Sequence, residues 1–281
     1  MTHTLQIGTI NTLRISRETP NGLYLITGDN DTEVLLPNAY VTEEMQIDDT
    51  LDVFVYTDSE DRAVATTLTP KAMCGEFAFL KVIDTSAHGV FLDWGLPKDL
   101  FVPKKEQKNL KIGDKRLFYL TLDAQTNRLI ASQKIGKYLT GDINDLSKNQ
   151  AVTLRIVAPT PLGYKALIND AHEGILYKNE VFESLKTGDI KEGFIKALRE
   201  DGKIDLSLQA IGKEASTNAT AKIESLLKKK NGTLPYNYKT DAKVIQEVFG
   251  LSKKAYKRAL TTLIDAGKIV VDEKGMKSSN P

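Results

Sequence analysis

The chain has 281 residues, about 41 % of them hydrophobic, a formal net charge of +1 and one cysteine, Cys74. That length supports two or more domains with real cores, and a lone cysteine excludes a disulfide-stapled scaffold. No run of roughly 18 apolar residues is present and MTHTLQIGTI lacks a basic head and an apolar stretch, so a cytoplasmic protein with no membrane partner is expected.

The near-neutral total conceals a gradient. Residues 1–66 carry 3 basic and 12 acidic side chains, residues 67–145 come to about +3, and residues 146–210 to about 0. Residues 211–281, with 14 basic against 7 acidic, come to about +7. A polyanion is repelled by the first quarter and attracted to the last, because phosphate neutralisation supplies most non-specific affinity for nucleic acid.

In chain order, three stretches share one plan: GLYLITGDNDTEVLLPNAYV from Gly22, GVFLDWGLPKDLFVPKKEQ from Gly89 and GYKALINDAHEGILYKNEVF from Gly163. Each has a glycine, a short alternating strand, a polar turn and a second strand ending at Pro37, Pro103 or Tyr177. An acidic or glycine turn follows at IDDTLDVFVY, IGDKRLFYLTL and TGDIKEGFIKAL, then a last strand at EDRAVATT, TNRLIASQ and DGKIDLSL. Period-two alternation with Gly, Asn and Asp at the breaks marks strands, and about five per unit fit a small closed barrel better than a sandwich.

Beyond residue 210 the period changes. ATAKIESLLKKKNG places Ile223, Leu226 and Leu227 on one stripe and stops at Gly232. TDAKVIQEVFG opens at a capping Thr240 and ends at Gly250; LSKKAYKRALTTLIDAG opens at Ser252 and ends at Gly267. KIVVDEKGMK reads as a terminal hairpin. The expected fold is therefore mainly β with an α/β tail. It comprises three tandem five-stranded OB-fold barrels, residues 1–68 (acidic), 69–138 and 146–210, then a basic winged-helix domain, 216–281.

Catalytic chemistry finds no support. His88, Asp93, Trp94 and Asp99 crowd one span, but they fall on a strand, a turn and a strand, with no nucleophile beside a paired acid and base. Three histidines and one cysteine give no metal-ligand spacing, and no G-x-x-x-x-G-K loop is present. No enzyme activity, metal or cofactor is expected, and Trp94 is expected to pack within the barrel.

The order of features in each unit resembles the RNA-binding S-one repeat, carried here by HGVFL, GILYKNE and GKIDLSL. The wider pattern GVFLDWGLPKDLFVP, TNRLIASQK and REDGKIDLSLQ, followed by the basic helical tail with LSKKAYKRALTTLIDAGKI, resembles the conserved virulence factor B family of bacterial proteins. The resemblance implies an RNA-binding gene regulator that holds single-stranded RNA across the third barrel and the winged helix. It makes the residue before the glycine, His88, a stacking position.

On that basis the candidate RNA-binding residues differ between units. The first keeps Tyr24 and Arg62 within a strongly acidic surface, which suits a scaffold or a contact to the ribosome or another protein. The second offers His88, Phe91 and Arg128, with Pro103 at the repeat's histidine place. The third offers Tyr164, Lys165, Tyr177, Arg199 and Lys203, the aromatic and cation mixture of a single-strand groove. In the tail, 100° steps bring Lys254, Lys257, Arg258 and Thr261 onto the helix face opposite the apolar stripe, and Lys228 and Lys229 add charge nearby. The expected ligand is single-stranded RNA; duplex DNA bound by the winged helix, or a protein partner, is the alternative.

Overall fold

The computed structural model describes residues 4–28, 32–181, 183–209 and 213–279. The chain divides into two compact units, Met1–Tyr138 and Leu139–Pro281. In the first unit, β1 (Thr9–Thr19), β2 (Gly22–Ile26), β3 (Glu33–Pro37), β4 (Thr50–Thr57) and β5 (Ala63–Thr66) close a barrel in the order β1-β2-β3-β5-β4. The next five strands, β6 (Phe77–Thr85), β7 (Gly89–Asp93), β8 (Leu100–Pro103), β9 (Lys115–Leu122) and β10 (Leu129–Ser132), follow the same order as a sheet. In the second unit, β11 (Ala151–Thr160), β12 (Gly163–Ile168), β13 (His172–Tyr177), β14 (Ile190–Leu198) and β15 (Ile204–Ser207) close another barrel.

The repeated glycine is dictated by sterics. Gly22, Gly89 and Gly163 lie opposite Pro37, Pro103 and Tyr177. A Cβ there would sit 2.1, 2.1 and 1.9 Å from the carbonyl oxygens of Leu36, Val102 and Leu176, so only glycine lets the two strands meet. In all three units the first strand slips register at a bulge, after Ile15, Val82 and Ile156, and bends to serve both neighbours.

The second barrel departs from the expected full closure, and one position accounts for it. The shared register puts Gly174, Val34 and Leu100 at one place on the third strand. Where glycine stands, the parallel seam to the fifth strand holds three pairs, Gly174↔Ile204 to Leu176↔Leu206. Even there a Cβ would meet Leu206 Cδ1 at 2.8 Å. With valine the seam keeps one pair, Leu35↔Val64. With leucine there is no pairing, although β8 and β10 still lie side by side.

Each barrel is filled by the inward half of its alternation: Ile15, Leu25 and Leu36 in the first, Leu80, Leu92 and Phe118 in the second, Leu154, Ile156 and Leu206 in the third. Trp94 is 2 % exposed and does pack, but at the junction of two barrels. Its ring stands edge-on to Phe54 at 5.6 Å and Tyr56 at 6.2 Å, both on β4, and its Nε1 donates to Lys98 O at 2.6 Å. Lys98 Nζ in turn donates to the carbonyls of Thr57 and Asp58, at 2.6 and 2.7 Å. Burial pushes the Lys98 ammonium below its usual range, with Asp61 and Asp58 opposing that shift.

The tail is a winged helix of α1 (Lys213–Lys229), β16 (Thr233–Leu234), α2 (Ala242–Phe249), α3 (Lys253–Asp265), β17 (Ile269–Asp272) and β18 (Gly275–Ser278). Three features differ from expectation. α1 begins at Lys213, ahead of residue 216, where the winged-helix domain is expected to start. Asp241, not Thr240, caps α2: its carboxylate accepts from Lys243 N at 2.8 Å, while Thr240 Oγ1 accepts from Asn237 N at 2.8 Å. β16 adds a third strand to the hairpin through β18. Ser252 does cap α3, accepting from Ala255 N at 3.2 Å, and Gly250 closes α2 in the left-handed region at φ 61°. Ile223, Ile245, Tyr256, Leu260 and Met276 form the core. No helix among the described residues is long and apolar enough to cross a membrane.

Candidate nucleic-acid interface

The ligand face of an OB fold is built on its second and third strands and flanked by the loops between strands one and two and between four and five. In the first barrel that face carries Tyr24 opposite Leu35. Its ring is already covered: Arg17 Cζ lies 3.9 Å from the centroid, and the guanidinium forks onto Glu33 at 2.9 and 3.3 Å. The fork raises Arg17 and holds the Glu33 carboxyl below its usual range. Arg62 is likewise tied to Asp58 at 2.7 Å and Glu60 at 3.0 Å.

In the second barrel the register pairs Phe91 with Phe101, ring centroids 5.2 Å apart and tilted by 44°, both half-buried. Phe101 is absent from the sequence-based set. Counting strand partners from the Gly89–Pro103 pair reveals it. His88 is exposed in the loop before Gly89, its backbone N donating to Ser86 Oγ at 3.2 Å. Arg128 is half-exposed but engaged, its guanidinium on the carboxylate of Asp61 in the first barrel.

In the third barrel the ladder separates two of the candidates. Lys165, opposite Ile175, takes the outward place of Tyr24 and Phe91, while Tyr164 falls at the inward place of Leu23 and Val90 and packs against the barrel core. Tyr164 is therefore a poor stacking surface. Tyr177 and Arg199 are brought together from the end of β13 and the turn after β14. Arg199 donates to the Tyr177 hydroxyl, and its Cζ lies 5.8 Å from the ring centroid. Asp205 braces the guanidinium at 2.9 and 3.1 Å and raises its affinity for the proton. Lys165 pairs with Glu173, and Lys203 with Asp201 at 2.7 Å. Each cation chosen in this barrel thus has its own carboxylate, which agrees with the barrel's charge of about 0.

The winged helix is electrically different. Tyr256, Ala259, Leu260 and Leu263 bury one side of α3, leaving Lys254, Lys257, Arg258 and Thr261 exposed on the other. Among the described residues, none of Lys254, Lys257, Arg258, Lys228 and Lys229 forms an ion pair with a carboxylate. Among the described residues Lys274 and Lys277 on the β17–β18 hairpin are also exposed and without an ion pair, an addition the sequence reading missed because in the tail it weighed only helix faces. Gln209, just beyond the third barrel, donates to Gly250 O at 3.0 Å, and a cleft of about 780 Å³ lined by Phe194, Leu208, Leu226 and Val248 separates barrel from winged helix. No group of three metal-ligating side chains occurs among the described residues.

Tandem OB barrels joined to a winged helix with an exposed cationic helix face have the build of a multidomain nucleic-acid-binding protein. Residues 7–68 match the model of the S1 domain, and residues 221–277 that of the CvfB-like winged helix domain. Over 267 residues the chain is 30% identical to the uncharacterized protein YitL of Bacillus subtilis, covering 92% of this chain and 89% of that one. Over 270 residues it is 30% identical to conserved virulence factor B of Staphylococcus epidermidis, covering 90% of each. A solved chain from Streptococcus pneumoniae, described as a multidomain protein with nucleic acid binding domains, aligns over 97% of this chain and 98% of its own at 23% identity and a TM-score of 0.42. The chain belongs to the conserved virulence factor B family.

Proposed function

We propose that the protein binds single-stranded RNA through the third barrel and the winged helix and acts in post-transcriptional gene regulation. The observation that carries this reading is the exposed face of α3, where Lys254, Lys257 and Arg258 have no counter-charge among the described residues and so lose no ion pair when a phosphate arrives. Tyr177, braced by Arg199, supplies a ring for base stacking, worth roughly 1–3 kcal/mol per base. Lys165 and Lys203 must exchange a carboxylate for a phosphate and contribute less. His88, Phe91 and Phe101 give the second barrel an aromatic face of its own. The first barrel, acidic and with Tyr24 covered by its own arginine, serves as a scaffold or a contact to another protein or the ribosome.

The test is fluorescence anisotropy with a labelled single strand of about 15 nucleotides of RNA against duplex DNA of equal length, at several salt concentrations. RNA should bind more tightly, with a log-affinity against log-salt slope of about −0.7 per phosphate contacted. Preference for the duplex would instead assign the winged helix to the major groove of DNA.

A further inference from the structure

The turn between the fourth and fifth strands recurs in all three barrels, closed by the same backbone bond: Asp58 N to Arg62 O at 2.9 Å, Asp123 N to Arg128 O at 2.8 Å, Arg199 N to Lys203 O at 2.9 Å. The cation that ends each turn is Arg62, Arg128 or Lys203. Arg62 and Lys203 are neutralised within their own turns, by Asp58 and Asp201. Arg128 has an acid in its own turn, Asp123, but that carboxylate is committed to the backbone N–H groups of Gln125 and Thr126, each at 3.1 Å, and to Lys105 at 3.4 Å. Arg128 reaches instead to Asp61 in the neighbouring barrel.

We infer that the first barrel restrains RNA binding by the second: Asp61 holds Arg128, the cation of a loop flanking the Phe91–Phe101 face, in an ion pair that a phosphate must displace. The inference rests on the reading that these barrels take single-stranded RNA. The placement of Asp61 is fixed by its surroundings. Lys98 grips the carbonyls of Thr57 and Asp58 just before it, and Trp94 is buried against Phe54 and Tyr56 on the strand leading into the turn. Asp61 itself sits in the left-handed region at φ 66°, where asparagine and aspartate are the side chains best tolerated after glycine. Both side chains of the pair are about half exposed, so the restraint is weak enough for RNA to overcome and strong enough to register in affinity.

The conservative variant Asp61→Asn keeps this backbone and removes the charge. It should raise single-stranded RNA affinity by up to about fivefold, the equivalent of about 1 kcal/mol, and steepen the salt slope by about 0.7. Arg128→Ala should erase the gain in the Asp61→Asn background and should cost less affinity in the wild type, where Asp61 already occupies the guanidinium. An unchanged affinity in Asp61→Asn, a gain that survives without Arg128, or an equal cost of Arg128→Ala in the two backgrounds would each overturn the inference. Phenylglyoxal modification followed by peptide mass mapping separates the two layers. Arg128 should react more slowly in the wild type than in Asp61→Asn, and equal rates would remove the ion pair whatever RNA does. Protection of Arg128 without RNA binding by either protein would instead fail the RNA reading, and the restraint with it.

Discussion

Replacing Lys254, Lys257 and Arg258 together by alanine is expected to lower single-stranded RNA affinity about a hundredfold at 0.1 M salt. Each phosphate contact to a single strand contributes about 0.7 to the salt slope, which at 0.1 M corresponds to about fivefold in affinity, and three contacts multiply. The salt slope should become shallower by about 2 at the same time. Folding should be untouched, because all three side chains are exposed, form no ion pair among the described residues, and lie opposite the buried Tyr256, Ala259, Leu260 and Leu263. A triple variant that melts like the wild type but binds RNA within about threefold of it would show that the helix face is merely solvated.

The second large effect concerns stability. Trp94→Ala removes a ring that is 2 % exposed and contacts two aromatic residues of the neighbouring barrel. Truncations of this kind cost about 3–5 kcal/mol, which for a unit of this size lowers Tm by roughly 10 °C or more. RNA affinity measured below the new Tm should hold or rise slightly, since Tyr177 and the α3 face lie in the second unit. The opposite pattern, an unchanged Tm with a clear loss of RNA affinity, would make Trp94 a base-stacking residue. The same packing explains why deleting residues 1–66 is a poor test of the first barrel. It would strip Phe54 and Tyr56 from Trp94 and expose an apolar face of the second barrel, whereas Asp61→Asn disturbs one charge.

Most of the fold was legible because it rests on local rules that repeat. Gly22, Gly89 and Gly163 mark the same strand contact, and period-two alternation identifies the strands without any knowledge of their partners. What could not be read were properties of pairs distant in sequence. The open seam of the second barrel follows from Leu100 standing where Gly174 stands in the third, and its meaning depends on a parallel neighbour that only the folded sheet supplies. The cap of α2 moved by one residue because Thr240 and Asp241 are both good caps, and Thr240 was taken by the preceding turn at Asn237.

The candidate site divides along the same line. Helical spacing alone placed Lys254, Lys257 and Arg258 on one exposed face, and the face is there. The barrel residues needed the ladder: Phe101 was overlooked, and only the register shows that Tyr164 turns toward the core while Lys165 takes the outward place. Counter-charges supplied from elsewhere in the chain were invisible. Nothing in the local sequence tells that Arg128 is engaged 67 residues away by Asp61, or that Arg17 covers Tyr24.

The most direct test of RNA binding by the third barrel and winged helix is photo-crosslinking of the full chain to single-stranded RNA carrying 4-thiouridine, with the crosslinked peptides identified by mass spectrometry. Crosslinks should concentrate in peptides containing Tyr177 and in those of α3 and the β17–β18 hairpin. Crosslinks confined to residues 1–66, or none at an RNA concentration that saturates binding, would contradict the proposed interface.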